Sequence, residues 1–175
     1  FERVVRRLGL PEPAVALARE RVAESLRVLA EEPIAPNEGA LECLIALKAD
    51  GRRLALASSA TREQVGRVTE RLGLRTVLEV LVSADDVREG KPSPDLFLLA
   101  AARLAVPPKD CVVIEDAVLG VEAAVAAGMT ALALVPQGRD GHLHGSAGAR
   151  ERLESLRQLT PEALDRLAAG LPWIP

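Results

Sequence analysis

From Gly39 onward the hydrophobic positions alternate between helical and strand spacing. Leu41, Leu44, Ile45 and Leu47 recur at helical intervals, and Asp50-Gly51 closes that helix. A strand over residues 53–57 follows, and Thr61-Arg62-Glu63-Gln64 is a capping box opening a helix to about Leu72. The next strand spans 77–82. Ser93-Pro94 then reads as an N-cap with proline at the first helical position, on a helix carrying Leu96, Leu99, Ala100 and Leu104. The run Cys111-Val112-Val113-Ile114 is apolar enough for a buried parallel strand. A helix over 118–127 ends at Gly128, and a strand over 130–135 leads into a Gly-rich loop from Pro136 to Gly148. Leu153 to Leu159 predicts a short edge element, and Thr160-Pro161-Glu162 starts a last helix to Gly170. This alternation predicts an α/β fold with a doubly wound parallel sheet.

Residues 1–35 carry helical spacing only. Val4, Val5, Leu8 and Leu10 form one apolar group, Pro11 and Pro13 break it, and Val15, Leu17, Val22, Leu26 and Leu29 form a second. Pro33 and Pro36 read as a hinge. The chain is therefore expected to divide into a helical segment, 1–35, and an α/β core, 36–175.

Composition narrows the function classes. Of 175 residues, 49% are hydrophobic and 27% charged, which excludes a disordered chain and suits one soluble globular unit. The net charge of −3 comes from 22 basic and 25 acidic residues mixed along the chain, so no basic face marks a nucleic-acid partner. Two Phe, one Trp and no Tyr leave little for base stacking. The longest uncharged apolar stretch, Ala123 to Pro136, is too short to span a membrane. Cys43 and Cys111 stand far apart in apolar segments and are expected as buried free thiols, consistent with a reducing cytoplasm. The oligomeric state is not legible from these patterns.

The candidate chemistry gathers at strand ends. Glu115 and Asp116 stand side by side after Ile114. Open α/β sheets bind ligands beyond the carboxyl ends of their strands. Two adjacent charges there repel and need compensation, and a hard cation such as Mg²⁺ suits their oxygens. Ser58 and Ser59 follow the 53–57 strand, and Gly90-Lys91-Pro92 follows the 77–82 strand. A hydroxyl and backbone N–H groups at a strand-to-helix turn hold phosphate oxygens, and a neighbouring lysine adds positive charge. Other polar positions have plainer readings. Thr61 is a cap, Asp85 and Asp86 serve a turn, and Arg19, Arg21 and Arg62 lie on the surface. His142 and His144 sit in a solvent loop without a third ligand nearby.

Strand-end Ser58, then Gly90-Lys91-Pro92, then Glu115-Asp116 with Gly120 four residues on resembles motifs two, three and four of the haloacid dehalogenase-like hydrolases. The likeness is greatest to the β-phosphoglucomutase and sugar-phosphatase branch, and runs from about Gly39 to Val135. The resemblance implies a Mg²⁺-dependent phosphatase of small phosphorylated metabolites, or a phosphomutase, working through a phospho-aspartyl intermediate. It gives Ser58 and Ser59 the phosphate oxygens, Lys91 the charge beside the nucleophile, and Glu115 with Asp116 the metal. It makes residues 1–35 the rear half of a helical cap. A haloacid dehalogenase proper fits less well, because that chemistry gives the acidic pair no purpose. The family's nucleophile opens an Asp-x-Asp motif near the N-terminus, and no Asp-x-Asp occurs here. The expectation is an N-terminally truncated piece of a longer enzyme; a binding protein that lost its nucleophile is the alternative. In the family the nucleophile-bearing strand lies between the strands ending in Ser58 and in Glu115-Asp116. Three outcomes are therefore open: a gap between those strands, direct pairing of the two, or a strand donated by another chain.

Overall fold

The computed structural model describes residue 9 and residues 12–137, 144, 145 and 147–173. Six helices and five strands are formed among these residues: α1 (Glu12–Glu31), α2 (Ala40–Ala49), β1 (Ala55–Ala57), α3 (Arg62–Arg71), β2 (Val80–Val82), α4 (Asp95–Leu104), β3 (Val112–Glu115), α5 (Val118–Ala126), β4 (Thr130–Leu134), β5 (Glu151–Leu153) and α6 (Pro161–Ala168). Among the described residues no helix is long and apolar enough to cross a membrane.

All strand pairs are parallel, and they fall into two separate ladders, β1-β2 and β3-β4-β5. Of the three outcomes left open for the centre of the sheet, direct pairing of β1 with β3 is ruled out, and the single chain has a gap there among the described residues. Among the described residues no strand lies between β1 and β3.

Strand β4 shows why the sheet is covered on both faces. Ala131 and Ala133 point to one side and Leu132 and Leu134 to the other, as period-two alternation requires. The alanine side meets α5, whose Val121, Ala123 and Ala124 are fully buried; small residues on both elements permit close packing. The leucine side meets Leu47 of α2, Leu153 of β5 and Leu167 of α6.

Helix α4 joins the two ladders. Leu96 and Ala100 pack with Val82 against β1 and β2. Phe97 and Ala101, one residue on, pack with Val121, Ala131 and Ala133 on the other ladder. Helix α1 lies against α3, where Gln64 Nε2 donates to Ser25 Oγ at 2.8 Å and the Arg71 guanidinium donates to the Leu29 carbonyl.

Local expectations met the structure unevenly. The Thr61–Gln64 capping box forms as read. The first two strands are shorter than their apolar runs. The pairing before β1 reduces to one backbone bond, Glu79 N–H to the Leu54 carbonyl at 2.8 Å, and a 3₁₀ turn at Leu74–Thr76 takes up the start of the second run. Helix α4 begins at Asp95 with Pro94 as its N-cap, and Ser93 Oγ donates to Asp95 Oδ1 at 2.9 Å instead of capping the helix. The edge element lies earlier than expected, at Glu151–Leu153, because Leu156–Gln158 curls into a 3₁₀ turn. Leu17 of α1 is exposed, and Ala18 takes the buried place. Cys43 is buried, but Cys111 is only half-buried, at the strand entrance. Burial pushes both thiols up, so neither is a ready nucleophile at neutral pH. The apolar group at residues 4–10 lies outside the described residues.

Asp86 closes the turn after β2. It accepts from Ser83 N–H at 2.9 Å and Ser83 Oγ at 2.6 Å, and pairs with Arg62 and Arg103 at 3.1 and 3.0 Å. Burial opposes its ionisation. The Ser83 hydrogen bonds and the Arg103 guanidinium overcome that and hold its carboxyl well below the ordinary carboxylate range. A depressed folded-state pKa contributes stability above the ordinary value of about 3.9 that is lost as pH falls further. In urea titrations between pH 6 and 2.5, Asp86→Asn is expected to be less stable at pH 6 and to lose less stability below pH 4 than the parent chain.

The gap predicts a second outcome. Among the described residues no strand pairs with the edges of β1 and β3 that face it, and backbone N–H and C=O groups left without partners are costly. Fusing an N-terminal apolar strand that ends in Asp-x-Asp is expected to raise the calorimetric melting midpoint by about 5 °C or more, on a scale of about 2–4 °C per kcal/mol for a chain of this size. An unchanged midpoint would show that no strand is wanted there.

Candidate functional site

The site is built from two strand ends and one loop. Strand β1 delivers Ser58, whose backbone N–H still pairs with the Val82 carbonyl at 2.9 Å and so continues the β1-β2 ladder. Ser58 Oγ then accepts from Ala60 N–H at 3.1 Å, which leaves the hydroxyl proton for an outside acceptor. The next residue, Ser59, is exposed. Thr61 caps α3 by accepting from Gln64 N–H, while Gln64 Oε1 accepts from Thr61 N–H at 2.9 Å. The turn is therefore rigid where the serines are presented, and the N-terminus of α3 lies behind them.

Strand β3 delivers Glu115 and Asp116. Glu115 is buried, at 9% exposure, and Asp116 is exposed. Gly120 makes room for the Glu115 carboxylate, since a Cβ at that position would overlap it. Ala117 N–H donates to Glu115 Oε2 at 3.4 Å.

Lys91 connects these strands. It comes from the loop after β2, its side chain is only 13% exposed, and its ammonium pairs with the Glu115 carboxylate. Lys91 Nζ also donates to the Ala57 carbonyl at 3.5 Å, the last residue of β1 and the neighbour of Ser58. It stands 4.9 Å from the centre of the Phe97 ring, a cation–π contact at the start of α4. The structure thus brings Lys91, Glu115 and the end of β1 together at the carboxyl edge. Ser58 follows Ala57 in that group, and Asp116 follows Glu115.

One participant was missed. His144 Nε2 lies 2.8 Å from the Asp116 carbonyl oxygen; as that oxygen only accepts, Nε2 carries the proton. Its other ring nitrogen, Nδ1, is buried with no partner among the described residues. The solvent-loop reading of His144 is corrected accordingly. Nothing in the local sequence signals the contact, because 28 residues separate the partners. His142 lies outside the described residues. Asp86 serves the turn as expected, while the Asp85 carboxylate accepts from the Arg62 N–H at the start of α3, and Arg19, Arg21 and Arg62 are exposed.

Glu115 and Asp116 offer the carboxylate oxygens a hard cation takes, but Glu115 is already held by Lys91. Among the described residues no group of three or more His, Cys, Asp or Glu side chains is placed to hold a metal ion. The donor set has the right chemistry for Mg²⁺ and is incomplete.

Breaking the Lys91–Glu115 pair leaves a buried charge unpaired. In EDTA, Lys91→Ala is expected to lower the urea-derived stability by about 3 kcal/mol, and Lys91→Met/Glu115→Gln to recover most of that loss.

The sequence model described as haloacid dehalogenase-like hydrolase matches residues 2–128. A phosphorylated carbohydrates phosphatase of Thermotoga maritima is 36% identical over 132 residues, 75% of this chain and 61% of the relative. A beta-phosphoglucomutase of Bacillus subtilis is 39% identical over 104 residues, 59% of this chain and 44% of the relative. The crystal structure of CbbY from Rhodobacter sphaeroides in complex with phosphate superposes with a TM-score of 0.75 at 29% identity, covering 89% of this chain and 69% of that one. Matches to these two enzymes and six further curated relatives span between 9% and 64% of the relatives' lengths.

Proposed function

The chain belongs to the haloacid dehalogenase-like hydrolases, and on that footing we propose that it is the phosphate- and metal-handling part of a Mg²⁺-dependent phosphatase of small phosphorylated metabolites. Residues 1–35 are then the remnant of a helical cap, and 36–175 a core without its first strand. The observation that carries the reading is the Lys91 ammonium, tied to Glu115 and to Ala57 at the mouth of the gap between β1 and β3.

Phosphoryl transfer needs positioning and charge neutralisation more than elaborate covalent machinery. In this reading Ser58 donates its free hydroxyl proton to a phosphoryl oxygen. Ser59 presents its backbone N–H at the same turn, with the α3 N-terminus adding positive potential. Lys91 lies beside the reacting carboxylate and offsets the charge that gathers there. A Mg²⁺ ion, held by Asp116 and Glu115, supplies further charge neutralisation when bound. The nucleophile is an Asp carboxylate on a segment outside this chain. Its attack forms an aspartyl O–P bond as the P–O bond to the metabolite breaks, the metabolite leaving as its alcohol with a proton from the second Asp of the Asp-x-Asp motif; water, giving a proton to the same Asp, then attacks phosphorus to release inorganic phosphate and restore the carboxylate. Passage to a second hydroxyl of the sugar would make the parent a phosphomutase, the reading favoured by the likeness to beta-phosphoglucomutase. The absence of Asp-x-Asp supports a third reading, a binding protein without turnover.

The chain alone is expected to show no turnover of p-nitrophenyl phosphate with Mg²⁺, and to bind Mg²⁺ at about millimolar strength or weaker by calorimetry. The fusion carrying an Asp-x-Asp strand is expected to hydrolyse sugar phosphates, with Lys91→Ala lowering kcat by about a hundred- to thousandfold. Turnover by the chain alone that disappears in Lys91→Ala would overturn the assignment of an external nucleophile. An inactive fusion that still binds phosphate through Ser58 would favour the binding protein.

A further inference from the structure

A second charged site lies on the far side of β2. A cavity of about 300 Å³ is lined by Arg62, Val65 and Gly66 of α3, Arg75, Leu81 and Ser83 around β2, Asp86, and Arg103 of α4. None of these residues belongs to the Ser58, Lys91 and Glu115 group. We propose that this cavity binds an oxyanion of the phosphate class.

Charge comes first. Three guanidinium groups face one carboxylate, an excess of two positive charges among the lining residues. Asp86 is fully engaged, holding Arg62 and Arg103 on its Oδ1 and Ser83 on its Oδ2. Arg103 spends a further N–H on the Leu81 carbonyl at 3.0 Å, on the edge of β2. Asp85 is turned to the Arg62 backbone N–H at 2.8 Å. Arg103 is held through two of its N–H groups and Arg62 through one, so both keep donors to spare. Among the described residues Arg75 has no hydrogen-bond or ion-pair partner.

Space comes second. Gly66 sits inside α3, where glycine weakens a helix, and its backbone is helical without positive φ. No turn or strain calls for a glycine there. A Cβ at Gly66 would lie 3.8 Å from the Arg75 guanidinium, an ordinary van der Waals contact, so this distance places Arg75 beside the helix without requiring a glycine there. The volume is at the lower end of the small-ligand range. Val65 and Leu81 add an apolar wall for a short carbon stem.

Arginine forks match the spacing of phosphate oxygens and form charge-assisted pairs with them. One guanidinium held at two points, one held at a single point and one unpartnered among the described residues therefore surround the cavity with donors an anion can take.

The test is calorimetric titration of the full chain with inorganic phosphate at constant chloride, using the parent, Lys91→Ala, Lys91→Met/Glu115→Gln, Arg75→Ala and Arg75→Glu. Arg75 is exposed, so its replacement does not threaten the fold. The expected result is a site that survives Lys91→Ala, weakens about tenfold in Arg75→Ala and is lost in Arg75→Glu. Amide shifts on adding phosphate should fall at Gly66, Arg75 and Ser83, apart from any at Ser58 and Ser59. Tighter binding of phenyl phosphate than of inorganic phosphate assigns the cavity to an esterified phosphate, and equal affinity assigns it to the free ion. Absence of binding in both Lys91→Ala and the more stable Lys91→Met/Glu115→Gln, or an affinity indifferent to Arg75→Glu, would overturn the proposal.

Discussion

The ion pair between Lys91 and Glu115 is the constraint on which this molecule's architecture turns. Each partner is nearly buried, so each charge needs the other. Lys91 also reaches the last carbonyl of β1, while Glu115 ends β3. One ammonium group therefore ties the carboxyl ends of two ladders that share no strand-to-strand hydrogen bond. The aromatic face of Phe97 beneath it and the absent side chain of Gly120 behind Glu115 leave the pair a narrow choice of geometry.

Helix α4 does for the interior what the ion pair does for the edge. Its consecutive residues Leu96 and Phe97 enter different clusters, one on each ladder. The gap between β1 and β3 is thus bridged at two levels, by apolar packing under the sheet and by charge at its rim. Packing alone leaves the strand edges beside the gap without ladder partners, which is a cost the fold carries.

The same rim presents the chemistry proposed for the chain. In the proposed function the Lys91 charge, the Ser58 hydroxyl and the exposed Asp116 carboxylate would serve the end of a nucleophile-bearing strand. The arginine-lined cavity uses different means on the outer edge of β2. There a single buried carboxylate, Asp86, orients two arginines and leaves a third uncommitted. The two sites are separated by the β1-β2 ladder and share no residue, so each can be altered without dismantling the other.

What was legible beforehand was local. Alternating periods marked the helices and strands, Thr61 and Gln64 announced the α3 cap, and the order of Ser58, Lys91 and Glu115-Asp116 pointed to one site and one family. Such signals are readable because propensity, capping and period depend on near neighbours in the chain. The lengths of β1 and β2 were overestimated, since the pairing before β1 reduces to one backbone bond and residues 74–76 curl into a 3₁₀ turn. The pairing of Lys91 with Glu115 across 24 residues, the hold of His144 on the Asp116 carbonyl across 28, and the gap between two ladders were settled only in three dimensions. By itself the sequence determined which segments are helix or strand and which residues can carry the chemistry. Only the tertiary structure decided which charges meet and which strand edges stay unpaired, because burial and distance between remote residues exist only once the chain has packed.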